Sequence, residues 1–123
     1  MQVLVVDGAN VVGSRPDGWW RDRAGAAARL RAQLLAADLP YDEVLLVLEG
    51  RARAGALDGR EGSVRTVHAA GSGDDRIVEA VSEQVSKGDG REVHVATADR
   101  GLRARVEALG AAVLAPSGLL ARL

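Results

Sequence analysis

The chain has 123 residues, 47% hydrophobic and 27% charged, with a formal net charge of −1 at neutral pH and no cysteine. That length makes 1–123 a single domain able to bury its own core, and the composition excludes a disulfide framework, a thiolate zinc site and a cysteine nucleophile. The balanced charge excludes a strong non-specific nucleic-acid field. No apolar run approaches a membrane span, and MQVLVVDGAN carries no basic segment ahead of its apolar residues, so cytoplasm is the expected location.

VLVV (3–6) is a continuous apolar run closed by Asp7-Gly8, the pattern of a strand buried on both faces. GSRPDG (13–18) is turn chemistry. Residues 19–37 read as a helix, with Ala27, Leu30, Leu34 and Ala37 at helical spacing and Pro40 as its stop. VLLVLE (44–49) is a second buried strand, followed by a Gly/Arg/Ala-rich loop to about residue 62, and SVRTVH (63–68) is a third strand. After AAGSG comes a helix from Asp74 to about Val85, ended by GDG (88–90). EVHVAT (92–97) is a fourth strand, Asp99 to Leu109 an amphipathic helix, AAVL (111–114) a fifth strand, and Pro116 opens a last helical turn. Alternation of this kind predicts an α/β chain: a three-layer α/β/α domain around a five-stranded, mainly parallel sheet.

Open parallel sheets place their sites beyond the carboxyl ends of the strands. Asp7 closes the first strand, Glu49 the second, Asp99 follows the fourth in TADR, and Asp74-Asp75 open the helix leading to the fourth. Helical geometry turns Asp74 inward over the strand ends, with Asp75 and Glu79 flanking it. Each has a plain alternative as a turn or helix-capping residue. Together, like charges gathered on one rim repel unless a cation lies between them, and an all-oxygen donor set suits Mg²⁺ or Mn²⁺. Asn10 either orients a ligand, water or scissile phosphate or is a turn asparagine; Thr97 either hydrogen-bonds a carboxylate or caps. Gly71, Ser72 and Gly73 leave amides free for an anion.

Here the residues resemble a known set. VVDGANVVG (5–13), GSGDDRIVEAV (71–81) and VATADRGLRARVEALGAAVLAPSGLL (95–120) resemble the NYN branch of the PIN-like nuclease superfamily. They are most similar to the bacterial YacP-like group, which includes a ribosome-associated endoribonuclease. The resemblance spans nearly the whole chain, and implies strand order 3-2-1-4-5 and a metal-dependent phosphodiesterase acting on RNA. It makes Asp7, Asp74 or Asp75, and Asp99 the metal-binding carboxylates, with Asn10 in support. Relatives commonly carry Asp where this chain has Glu49, whose longer side chain either reaches the metal or misses it. Ribosome docking is not carried over, because the chain lacks the extra helical segments of longer relatives.

The chemistry then expected is phosphodiester hydrolysis by metal-activated water. No His, Lys or Tyr is placed as a general base; His94 and His68 read as structural. For substrate, Arg15, Trp19, Trp20, Arg21 and Arg23 follow the first strand's loop and Arg51 and Arg53 the second, a mixture suited to single-stranded RNA. The tryptophans alternatively pack the first helix onto the sheet in a core without Phe. Arg76 and Arg100 either pair with neighbouring carboxylates or reach phosphate. Two other functions compete: a catalytically weak module binding RNA or a protein, and a small nucleotide phosphohydrolase. The apolar end APSGLLARL (115–123) packs either on its own sheet or on another subunit, as in a homodimer.

Overall fold

The computed structural model describes residues 1–123. Its sheet is built on β1 (Gln2–Asp7), β2 (Glu43–Leu48), β4 (Val64–His68), β5 (Glu92–Ala96) and β6 (Ala112–Leu114), all parallel, with β3 (Gly59–Glu61) added antiparallel on the outer edge of β4. The order is β3-β4-β2-β1-β5-β6, so the five parallel strands take the expected 3-2-1-4-5 and the sheet has six strands rather than five. The additional strand lies inside the segment expected to be loop, whose first half is a 3-10 turn over Gly50–Gly55. β3 is wholly exposed and exists through its ladder to β4, so no hydrophobic pattern announces it.

Alternating side chains feed two cores. Val3, Val5, Leu45, Val47, Val93 and Val95 face α3 (Gly73–Ser86) and α4 (Arg100–Ala108), packing on Ile77, Val81, Leu102 and Val106. Leu4, Val6, Leu46 and Leu48 face the other layer, α1 (Gly8–Gly13), α2 (Arg23–Ala36) and α5 (Pro116–Leu120), meeting Val11, Leu30, Leu34 and Leu119. Each such side chain removed from water contributes roughly 1.5–3 kcal/mol. The chain's apolar end therefore lies on its own sheet: Leu119 is fully buried, and Leu120 and Leu123 pack beside it. No helix is long and apolar enough to cross a membrane.

Three helix starts differ from expectation, each because a side chain caps elsewhere. Asp7 ends β1 and at once caps the short α1, which the sequence pattern left as strand and turn. The helix expected over 19–37 is broken: Trp19–Arg21 form a 3-10 turn, Asp22 leaves helical geometry (φ −150°, ψ 79°), and its carboxylate accepts from the Gly25 N–H to start α2. In α3 the cap is Ser72, not Asp74 or Asp75, which lie in the first turn where their charge complements the helix dipole.

Candidate functional site

The carboxyl ends of β1, β2 and β5 and the N-terminal ends of α3 and α4 form one edge. At its centre Asp7 is 6% exposed. Its Oδ2 accepts from the Thr97 hydroxyl at 2.9 Å and its Oδ1 from the Asn10 N–H at 3.3 Å. Thr97 is wholly buried and bonds the carboxylate; its hydroxyl also accepts from the Asp99 N–H at 3.2 Å, while the cap of α4 falls to Asp99 instead. Asn10 Oδ1 accepts from the Ala98 N–H at 2.9 Å, tying α1 to the loop between β5 and α4. No local spacing signals the Ala98 amide as a partner of Asn10. Gly8 permits this turn: a Cβ there would stand 2.6 Å from the Val47 carbonyl oxygen.

Glu49 leaves the end of β2 and reaches α3, where its Oε2 accepts from the Gly73 N–H at 2.7 Å. This corrects the expectation of free amides at Gly71–Gly73: the protein's own carboxylate occupies that position, and Ser72 Oγ takes the Asp75 N–H. Asp74 is half-buried beside it. Asp99 is exposed, and its Oδ1 caps α4 by accepting from the Leu102 N–H at 2.8 Å. Asp75 turns outward to Arg105 at 3.0 Å. Glu79 stands apart, paired with Arg76 at 3.4 Å and not among the charges felt by Asp7 or Asp74.

Mutual repulsion is visible in two groups. Burial pushes the Asp7 carboxyl above its ordinary value; the Thr97 and Asn10 hydrogen bonds oppose the rise, and the charges of Asp74 and Glu49 add to it. Burial also raises Asp74, with Asp99 and Glu49 adding to the rise and Arg105 opposing it. Asp7, Glu49, Asp74 and Asp99 thus act on one another, while no three acidic or histidine side chains converge in metal-holding geometry in this arrangement. The donor chemistry nevertheless fits a hard divalent cation. All donors are oxygens, no cation neutralises Asp7, and Glu49 and Asp99 each keep an oxygen without a hydrogen bond.

The arginines divide. Arg76 is committed to Glu79 and Glu83 at 3.4 and 3.5 Å. Arg15, Arg51 and Arg100 enter no ion pair; Arg51 and Arg100 are exposed and Arg15 is half-buried. Arg105, absent from the sequence expectations, pairs with Asp75 and its charge opposes the rise of Asp74; this contact links α4 to α3 and has no signal in local spacing. Neither tryptophan belongs to the core: Trp20 is 55% exposed, and Trp19 is half-buried with the Arg23 guanidinium 5.3 Å from its ring centroid. His94 lies in the middle of β5, half-buried, with its Nδ1 3.0 Å from the Tyr41 hydroxyl.

Sheet order, layering and an acidic edge at the strands' carboxyl ends define an α/β/α domain with a YacP-like fold. Among solved structures the chain is similar to Rae1 (YacP) from Bacillus subtilis, in its W164L mutant, with a TM-score of 0.67 and 19% identity over 98% of this chain and 74% of that one. No protein-family model and no curated protein sequence matches the chain.

Proposed function

We propose that this domain is a metal-dependent endoribonuclease hydrolysing RNA phosphodiesters at the acidic edge. The observation that carries the reading is the gathering of Asp7, Glu49, Asp74 and Asp99 at the end of a parallel sheet, with Asp7 raised by burial and by the charges of Asp74 and Glu49, and Asp74 raised by burial and by those of Asp99 and Glu49. Such a gathering of like charges costs folding energy, which a cation bound among the carboxylates would offset. Asp7, Asp74 and Asp99 would hold Mg²⁺ or Mn²⁺, with Asp75 and Glu49 at the margin. When bound, the cation supplies Lewis acidity toward a phosphate oxygen and acidifies its water. Thr97 holds the Asp7 carboxylate in one orientation, and Asn10 fixes the loop carrying Asp99. Arg15, Arg51 and Arg100, free of carboxylate partners, face the phosphates of the RNA.

The deciding experiment is cleavage of a mixed-sequence single-stranded RNA with Mn²⁺, with Mg²⁺ and with EDTA, for wild type, Asp7→Asn and Asp99→Asn. Cutting that needs metal and disappears in both folded variants supports the reading, as does a rise in melting temperature on adding Mn²⁺ that Asp7→Asn lacks. Absence of cutting and of any metal-dependent rise refutes it. The second reading, an RNA- or protein-binding module without catalysis, is favoured by one observation: Glu49 and Asp99 are each tied to a helix amide and the carboxylates do not converge.

A further inference from the structure

Beside the acidic edge, a cavity of about 360 Å³ opens between the start of α1, the end of β2 and the Trp19–Arg21 turn. Its walls include Val12, Trp19, Arg23, Leu48 and Glu49. We propose that this cavity is a nucleobase subsite, taking one unpaired base of a single-stranded RNA against the Trp19 indole, with Glu49 accepting from the base and Arg23 drawing the adjoining phosphate. The choice of RNA rests on the nuclease reading above; the base-binding cavity does not.

Three observations carry it. First, in a chain without Phe, Trp19 offers one of the largest apolar surfaces available, yet it belongs to neither core cluster and lines the cavity instead. An indole wall in a cavity of this size takes a flat ring, and stacking holds any base. Second, Glu49 gives one oxygen to the Gly73 N–H, and its other oxygen has no hydrogen bond. A purely apolar occupant would strip water from that carboxylate and from Arg23 with nothing in return. A base amino group donates to a carboxylate, whereas the uracil N–H lies between two carbonyl oxygens that a carboxylate repels. Third, the cavity shares Arg23 with an adjoining depression walled by Trp20, Arg21, Arg51 and one carboxylate, Asp22, whose Oδ1 is engaged by the Gly25 N–H. None of these arginines enters an ion pair, so a polyanion leaving the cavity meets unpaired guanidinium groups.

The test uses the protein's tryptophan count of two: Trp20→Phe leaves Trp19 as sole reporter. In EDTA, AMP, CMP and GMP should quench Trp19 emission saturably, with UMP several-fold weaker. Trp19→Leu should weaken binding of a short single-stranded RNA by about 5- to 150-fold, the range set by stacking of one base. Quenching by none of the four nucleotides, or unchanged RNA affinity in a folded Trp19→Leu protein, overturns the subsite; UMP equal to the others overturns the role of Glu49. If Trp19→Leu does not fold, the titration of Trp20→Phe decides alone. Quenching without RNA cleavage supports the subsite and refutes the nuclease reading, and cleavage without quenching does the reverse.

Discussion

Replacing Thr97 by valine keeps the volume of a wholly buried side chain and removes one oxygen. That oxygen donates to Asp7 Oδ2 at 2.9 Å and accepts from the Asp99 N–H at 3.2 Å. The Asp99 amide belongs to an exposed residue and can turn to water, whereas buried Asp7 has no substitute donor. A hydrogen bond to a charged group is worth about 1.5–3 kcal/mol net. At roughly 2.1 cal/mol/K of unfolding entropy per residue, 1 kcal/mol moves the melting temperature of a chain this size by about 4 °C, so Thr97→Val should melt about 6–12 °C lower. The assay is far-UV circular dichroism at pH 7.5 in EDTA, repeated in an Asp7→Asn background. There the hydroxyl faces a neutral amide and its loss should cost only about 1 kcal/mol. An equal loss in both backgrounds, or a drop under about 2 °C, refutes the idea that Thr97 holds a charged Asp7.

Other outcomes follow from the same geometry. Asp7 and Asp74 both lie above the ordinary 3.8, so the folded protein binds these protons more tightly than the unfolded chain and loses stability as pH rises from near 3.8 through the raised values. Between pH 4 and 7.5 in EDTA, the melting temperature of Asp7→Asn should therefore gain on that of wild type; an unchanged difference refutes this. Asn10→Ala removes the acceptor of the Ala98 N–H and should cost about 1 kcal/mol by urea unfolding, with faster hydrogen exchange at Ala98; unaltered exchange there counts against the tie. Gly8→Ala drives a Cβ to 2.6 Å from the Val47 carbonyl and should cost about 1–3 kcal/mol. Gly13→Ala, whose Cβ would meet Trp19 at 3.7 Å, should change stability by less than about 1 kcal/mol, and equal losses would contradict the packing argument.

Much of the fold was legible because its strands bury both faces. Val3–Val6 and Val44–Leu48 are almost wholly inaccessible, so their apolar runs had no other reading, and their alternation with helices implied a parallel sheet, its order being implied by the family resemblance. What escaped was structure held by single hydrogen bonds. α1 is six residues with a glycine at each end and exists because Asp7 caps it; β3 is three exposed residues defined by a neighbour's ladder. The candidate site divides in the same way. Strand ends could be read, so Asp7, Glu49, Asp74 and Asp99 were placed on one edge. Side-chain angles could not, which is why the Glu49 hold on Gly73, the Arg105 contact with Asp75 and the half-buried Trp19 appear only in three dimensions.

β1 occupies the middle of the sheet, yet its partner β5 lies about ninety residues further along the chain, and the Thr97–Asp7 and Ala98–Asn10 bonds span the same separation. Contacts of such sequence separation form slowly, since a long loop must close before any of them is gained. During synthesis the first strand, though made at the outset, carries an open edge until the fifth arrives, and a fragment ending before β5 would present that edge to other chains. The acidic edge is consequently completed late, when Asp99 arrives with β5 to join Asp7, Glu49 and Asp74.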